Sequence, residues 1–369
     1  MTKILNKQLQ NLFKNIFYNL FLLLYGNIKG TISYENDERI KVKEVSPDNV
    51  IKYKTYVVSE SRLYTNTIHD TAIILDNKLV EGASFQLREN KNDVPKNNIV
   101  LKIGTPRIIK RFRGIIVSLL TGGGGNSNYY HWLYDVLPRL KLISDTIDLE
   151  KVDYFLFPNI RERFQTETLN LLKIPLKKRI SSLENRHLSA DKIITTEHPW
   201  LINNDPINDP ANLPKWIPKW LNDHLDDNEY KFDNSPKKFF IDRSDSKSNH
   251  RFFRSISNEV ELKKFLIQKG FEIVSLSNLS FNNQVKLFRN AEIIIGLHGA
   301  GFSNLAFCTP SSSTKIIELK TETTGDMYSQ LATKNNKFIP LAVKSQNTLV
   351  NTLGEIMIPL EKLEKLIND

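Results

Sequence analysis

One cysteine, Cys308, stands in a chain of 369 residues. No intramolecular disulfide can form, and no zinc cluster can be built on thiolates. A lone thiol also fits a reducing cytosol. The seven histidines show no metal-ligand spacing. No aspartate stands two positions from another, so the Asp-x-Asp pair that holds a divalent cation beside a diphosphate is missing. No apolar run approaches the roughly 20 residues that a membrane span needs. Long basic runs and RNA-binding aromatic motifs are also missing, so nucleic acid is not an expected partner. What remains is an ordinary soluble composition, 40% hydrophobic and 25% charged, in a chain long enough for two domains. The formal net charge of +10 and pI near 9.3 point to an anionic partner, such as a nucleotide sugar or an acidic lipid surface.

The most informative stretch is 291–319. Glu292 to Ile295 is a short β-branched run that suits a strand buried in a parallel sheet. Gly296, Gly299 and Gly301 then allow a tight turn in which peptide N–H groups can approach a ligand. Phe302 to Phe307 can open a helix whose N-terminus favours anions. His298 lies in the turn, within reach of a phosphate oxygen, with Ala300 between the last two glycines. A second strand, Lys315 to Leu319, carries Glu318 to the same sheet edge. In open α/β sheets ligands bind beyond the carboxyl ends of the strands. The stretch reads either as a diphosphate site or as a glycine turn that simply closes a βα unit.

A second glycine cluster, Gly122 to Gly125, precedes Asn126-Ser-Asn-Tyr-Tyr-His-Trp-Leu-Tyr-Asp-Val-Leu-Pro-Arg139. No Gly-Lys-Ser/Thr follows, which excludes a P-loop. Ser127 or Asn128 can cap a helix on which His131 and Asp135 share a face at i and i+4. Tyr129, Tyr130, Trp132 and Tyr134 supply flat surfaces on which sugar rings stack. The alternative is an aromatic helix packed into the core.

The remaining chain alternates short elements. Residues 3–25 carry an apolar stripe (Leu5, Leu9, Leu12, Ile16, Leu20, Leu23) opposite Lys7, Asn11 and Lys14. This predicts an amphipathic helix within residues 1–30, lying on an anionic leaflet or docked on the protein's own core. A signal peptide is not expected, since no small-residue cleavage site follows. Strands are expected at Tyr53–Val58, Thr71–Leu75, Leu79–Ala83, Ile99–Ile103, Gly114–Leu120, Asp153–Phe157 and Asp191–Thr195, with a helix over Phe164–Leu172. Five prolines between 205 and 237 place a boundary near 235, with one helix, Trp216–Leu225, inside that stretch. Beyond it come strand Lys238–Asp242, a basic loop, a helix capped by Asn258 and Glu261 and closed by Gly270, strand Phe271–Leu276 and helix Phe281–Asn290. This order describes a parallel α/β domain. A helix over Met327–Thr333, a strand over Phe338–Val343 and a helix over Leu360–Ile367 complete the chain.

Gly296-Leu-His-Gly-Ala-Gly-Phe-Ser-Asn-Leu-Ala-Phe307 resembles the C-terminal signature of glycosyltransferase family 61, and Asn128-Tyr-Tyr-His-Trp-Leu-Tyr-Asp-Val-Leu-Pro-Arg139 resembles its N-terminal-domain signature. The resemblance is dense in 239–319 and thinner before that. It implies an α/β GT-B fold: an acceptor-side Rossmann-like domain (31–234) and a donor-binding Rossmann-like domain (235–350), facing a cleft. A C-terminal helix (351–369) would pack back toward the first domain. It implies inverting transfer from a nucleotide diphosphate sugar, UDP by family habit. Arginines sit after the first strand of the donor domain and before an Asn-Glu pair in this family. Arg243 and Arg254 fill those places, with Arg251 a competing candidate for the second.

On this reading Arg243, Arg254, His298, Gly299, Ala300 and Gly301 hold the diphosphate, and Glu318 and Asn304 the nucleoside or its ribose, with Gln284 as support. His131 is the base, with Asp135 as its orienting partner or runner-up; Asn128, Tyr130 and Trp132 lie on the acceptor side. No metal or other cofactor is expected. The family context, with Lys, Asn and Ile usage typical of an AT-rich bacterial genome, suggests a cytoplasmic enzyme peripheral on the inner membrane. It would act on a glycan or lipid-linked acceptor in capsule or lipopolysaccharide synthesis; a homodimer is possible. Two rival readings stay open. One is a Rossmann-type NAD-dependent sugar-nucleotide enzyme, since Glu318 lies about 20 positions after the glycine turn, where a ribose-binding acid is expected. The other is a non-catalytic glycan-binding protein that keeps the fold.

Overall fold

A computed structural model describes residues 16–66, 70–86, 97–120, 127–203, 205, 209–225, 235–244, 255–309, 313–332, 336–344 and 355–369. The chain divides into two compact units: Met1–Glu162 with Ile174–Pro206, and Arg163–Lys173 with Ile207–Asp369.

The first unit opens with a helix over 16–25 (α1). The predicted stripe upstream, at Leu5, Leu9 and Leu12, lies outside the described residues. Leu22 packs beside Gly104, and the Tyr25 hydroxyl accepts from the Ile109 N–H at 3.3 Å. Ile16, Phe17, Leu20, Leu23 and Leu24 are exposed, Leu23 by 85%. The described members of the expected apolar stripe, Ile16, Leu20 and Leu23, therefore all meet solvent, and the docking contacts come from Leu22 and Tyr25, which lie off that stripe. Among the described residues no helix is long and apolar enough to cross a membrane.

The strands of this unit are β1 (Thr31–Ile32), β2 (Ile40–Val45), β3 (Tyr53–Tyr64), β4 (Asp70–Leu75), β5 (Lys78–Val80), β6 (Phe85–Gln86), β7 (Lys110–Arg111), β8 (Ile115–Ser118), β9 (Tyr154–Phe157), β10 (Arg179–Ser181) and β11 (His187–Thr196). They form one sheet whose main path runs β1-β5-β4-β3-β11-β8-β9-β10. The expected Rossmann-like half is only part of it. Strands β11, β8, β9 and β10 pair in parallel. The long β3 instead pairs antiparallel with β11, β2 and β4. A strand alternating a core face with a solvent face suits that antiparallel role. The core gathers Val58, Leu63, Ile73, Ile116, Leu156 and Ile193. Each such buried side chain contributes about 1.5–3 kcal/mol.

The strand expected at Ile99–Ile103 is a helical turn, α2 (Val100–Ile103). The Asn98 carboxamide accepts from the Val100 N–H, and Gly104 at φ 63° ends the turn, two local signals that outweigh the β-branched composition.

After β8 the chain enters α3 (Tyr129–His131), a π-helical turn over Trp132–Val136, and α4 (Pro138–Ser144). Pro138 has no N–H for a bond to the Tyr134 carbonyl, and its ring would crowd that oxygen. The backbone widens instead: the Leu137 N–H reaches the Trp132 carbonyl five residues back, at 3.1 Å.

In the second unit come α5 (Arg163–Leu171), α6 (Trp216–Leu225), β12 (Lys238–Asp242), β13 (Ser255–Ile256), α7 (Glu259–Gln268), β14 (Glu272–Ser275), α8 (Phe281–Arg289), β15 (Ile293–Leu297), β16 (Lys315–Thr321), β17 (Lys337–Val343), β18 (Glu355–Ile356) and α9 (Leu360–Asn368). The division at 206/207 lies upstream of the boundary expected near 235. Trp216, Ile217, Trp220 and Leu221 are buried on the face of α6, which rests on the turn after β15. Helix α5 joins this unit too, where Glu167 accepts the Phe281 N–H at 2.7 Å and so caps α8. Strands β14-β12-β15-β16-β17 form an all-parallel sheet, as read for this half. Asn258 does not form the expected capping box. Its side chain bonds both the N–H and the carbonyl of Ile358 at 2.9 Å and so ties the C-terminal segment to α7.

The C-terminal helix, expected to pack toward the first domain, lies in the second unit's own core: Leu363 and Ile367 cluster with Leu262, Leu266, Ile317 and Ile356. Leu363→Ala is accordingly expected to cost about 2–5 kcal/mol of stability. The check is a lowered thermal midpoint; an unchanged midpoint would detach α9 from this core.

Candidate active site

Two clusters of chemistry-bearing side chains lie at the carboxyl ends of parallel strands, one in each unit.

In the second unit the sheet order reverses at β12: the chain goes from β12 to β14 on one side, then returns to β15 on the other. Such a switch point opens a crevice at the carboxyl strand ends. Arg243 follows the last residue of β12, and His298 the last residue of β15. Asp242 shapes the exit of β12 by accepting the Ser244 N–H at 3.1 Å and the Ser244 hydroxyl at 2.7 Å. Burial would raise the Asp242 carboxyl, but Lys263 and Ser244 hold it below its ordinary value. Arg243 donates from Nη1 to the His298 carbonyl at 2.8 Å. A Cβ on Gly299 would overlap the Arg243 guanidinium, and one on Gly301 would press on Leu276 and Ile241. The glycines therefore make room for Arg243 and for close packing, a role the sequence reading gave to the ligand. Ala300 begins a 3-10 helix, Ala300–Phe307, over the stretch expected to open a helix at Phe302.

His298 is buried, and its Nδ1 lies 2.6 Å from Glu318 Oε1. Its ring lies 4.8 Å from that of Tyr328, tilted by 57°. Glu318 is fully buried, with Oε2 3.8 Å from the Lys320 ammonium. Expected at a ribose, Glu318 is fully buried, and its carboxylate meets His298 Nδ1 and so orients that ring. Asn304, also expected at the nucleoside, is fully buried and donates to Gln284 at 3.0 Å and to the Gly301 carbonyl at 3.3 Å. It braces the turn, and Gln284, which also donates to the Leu276 carbonyl at 3.0 Å, locks it to α8. Arg254 and Arg251 lie outside the described residues.

In the first unit, Asn128 caps α3 by accepting the His131 N–H at 3.3 Å. The His131 side chain is 36% exposed and its Nδ1 lies 2.8 Å from Asp135 Oδ2. Asp135 is 2% exposed. Its Oδ1 accepts from the Trp200 indole at 2.5 Å, and its Oδ2 lies 3.7 Å from His198 Nε2. The His198 Nδ1 accepts the Trp200 and Leu201 N–H groups at 3.3 and 3.1 Å, which puts its proton on Nε2, facing Asp135. His198 and Trp200 follow β11 and were not foreseen. Their one sequence signal is position, just past the carboxyl end of a parallel strand.

Burial would lower the His131 imidazole, but the charge and hydrogen bond of Asp135 outweigh it and raise the pKa above its ordinary value. Burial would likewise raise the Asp135 carboxyl, yet His131 and then His198 hold it well below the usual carboxylate range. Burial lowers His198, against the pull of Asp135, so that it stays neutral at pH 7. An ionised Asp135 holding the Nδ1 proton of His131 leaves Nε2 as the basic ring atom. Asp135 itself is too enclosed to be the base.

Tyr130, Trp132 and Tyr134 are buried. Tyr130 and Tyr134 stack on each other at 4.9 Å, and Trp132 meets Phe157. Of the two readings of this aromatic helix, sugar platform or core, Tyr130 and Trp132 take the core one. Among the described residues no group of three or more His, Cys, Asp or Glu side chains is arranged to hold a metal ion.

The family model Glycosyltransferase 61 matches residues 129–317, just over half of the chain. The match opens on the first residue of α3 and closes beside Glu318. No curated protein matches the chain.

The raised His131 pKa stabilises the fold fully below its ordinary value near 6.5, and that contribution is lost as pH rises through the raised value. The depressed Asp135 pKa stabilises above its ordinary value near 3.8 and is lost in acid. In Asp135→Asn, proton NMR of the His131 ring is expected to titrate at lower pH than in the parent protein. An unchanged titration would sever the pair.

Proposed function

Because this chain belongs to glycosyltransferase family 61, we propose that its glycosyltransferase activity is inverting transfer from a nucleotide diphosphate sugar, with UDP as the nucleotide. The observation that carries the donor half is the meeting of Arg243 and His298 at the strand switch between β12 and β15. Arg243 places a permanent cation there. The His298 ring, with Nδ1 committed to Glu318, acts through Nε2 on a diphosphate oxygen, and the first amides of the 3-10 helix add dipoles. Together they offset the negative charge that develops on the leaving group without a metal ion.

The acceptor half is His131. Its Nε2 takes the proton of the acceptor hydroxyl as that oxygen bonds to the anomeric carbon. The bond from this carbon to the diphosphate breaks, and the diphosphate leaves with the electron pair. Asp135 stabilises the imidazolium that results. The GT-B arrangement is part of this proposal, as the family resemblance implies it.

The acceptor is a glycan or lipid-linked chain of capsule or lipopolysaccharide, met at the cytoplasmic face of a membrane. The exposed Phe17, Leu20, Leu23 and Leu24 of α1 and the net charge of +10 support contact with an anionic leaflet. A homodimer belongs to the same reading.

Calorimetry with UDP, GDP, CMP, dTDP and NAD, each with EDTA or magnesium, tests the donor site. A uridine or guanosine diphosphate should bind equally in EDTA, and Arg243→Ala should weaken it about ten- to hundredfold, the loss of a charge-assisted contact. Binding that requires magnesium contradicts the metal-free reading. Binding of NAD alone favours a dinucleotide enzyme, and binding of none a glycan-binding protein.

A further inference from the structure

The first unit holds a cavity of about 270 Å³ whose walls include Arg139, Thr71, Lys52, His198 and Glu197. It lies at the carboxyl ends of β8 and β11 and touches the His131 network through His198, which faces Asp135. The transfer chemistry above makes no use of it.

Arg139 is its unusual wall. The side chain is 2% exposed. One Nη1 hydrogen goes to the Leu120 carbonyl, while Nε has no hydrogen-bond partner. A guanidinium has five N–H donors and keeps its charge. Burial pulls its pKa down, against Asp135, to about 10, so the charge persists at neutral pH. Among the described residues no carboxylate lies within ion-pair distance of it, and Asp135 acts only from farther off; a buried cation so placed is costly, a cost that a ligand anion would offset. A second wall atom is also unmet: Thr71 is buried and its hydroxyl has no partner. The other charged walls are already engaged. Glu197 accepts the Lys54 N–H at 2.8 Å, and Lys52 pairs with Glu44 at 3.2 Å. Burial keeps His198 neutral, its Nδ1 takes two backbone N–H groups, and its Nε2 faces Asp135 at 3.7 Å.

We propose that this cavity binds an oxyanion group, a carboxylate or a phosphate, carried on one sugar of the acceptor, with Arg139 as its cationic anchor and Thr71 as a hydroxyl donor. The volume falls just below the roughly 300–1,000 Å³ of typical ligand pockets, a size for a single ring and not for a nucleotide. The word acceptor rests on the glycosyltransferase reading; the anion site does not. If it holds, the enzyme extends an acidic glycan.

The test is calorimetry on the full chain with glucuronate, glucose 1-phosphate and glucose, followed by UDP on the same samples. At least one of the two anions should bind about tenfold or more tightly than glucose, and which one binds tighter identifies carboxylate or phosphate. Arg139→Gln should weaken that anion about ten- to hundredfold and leave UDP binding unchanged. Should Arg139→Gln fail to fold, Thr71→Val decides: it keeps the volume, removes an unmet hydroxyl, and should weaken the anion about tenfold while the melting temperature holds or rises. Glucose binding as tightly as both anions, Thr71→Val binding them unchanged, or no anion binding in a chain that still binds UDP overturns the proposal. Loss of UDP binding with anion binding intact would instead fault the donor site.

Discussion

Arg243 reaches across Gly299 to hydrogen-bond the His298 carbonyl, and the proposed donor site depends on that one interaction. It joins the ends of two strands that the sheet brings together only because the order reverses at β12. Gly299 is needed where it stands because any side chain would occupy the guanidinium's place. Glu318 then fixes the His298 ring from the next strand, in register opposite Gly296. Three consecutive parallel strands thus each deliver one member of the cluster, and the rigid sheet, not the loops, sets their spacing.

The first unit repeats the strategy with different parts. The helix after β8 carries His131 and Asp135, and the segment after β11 carries His198 and Trp200. Asp135 is the hinge of this network, buried, ionised and met by donors from both segments. A buried carboxylate is tolerated when its hydrogen bonds are made, and each bond also constrains the ring that would take the acceptor's proton. The π turn at Trp132–Val136 lies at the centre of the same cluster, where Pro138 leaves the helix no regular alternative.

Much of this was legible in the sequence wherever the signal was local. Helix α6 and strand β12 fall where periodicity put them, and His131–Asp135 pair as i, i+4 spacing requires. The parallel sheet of the second unit follows from its βα order. What was not legible depends on distant pairing. The β3–β11 ladder joins segments far apart in the chain, and no local pattern distinguishes an antiparallel partner from a parallel one. Trp200 meets Asp135 across 65 positions. Glu318 reads as a strand-end acid, but which side of the sheet it faces is decided by register. Tyr130 and Trp132 looked like a sugar platform because a helix surface was assumed; packing buried them.

The measurement that tests the central claim most directly is phosphorus NMR of UDP titrated with the protein and with Gly299→Ala. The added Cβ displaces the Arg243 guanidinium while leaving every donor side chain present. Both phosphorus resonances should shift or broaden with the parent protein and return toward their free positions with the variant. Equal perturbation by both proteins would place the diphosphate elsewhere and contradict the account.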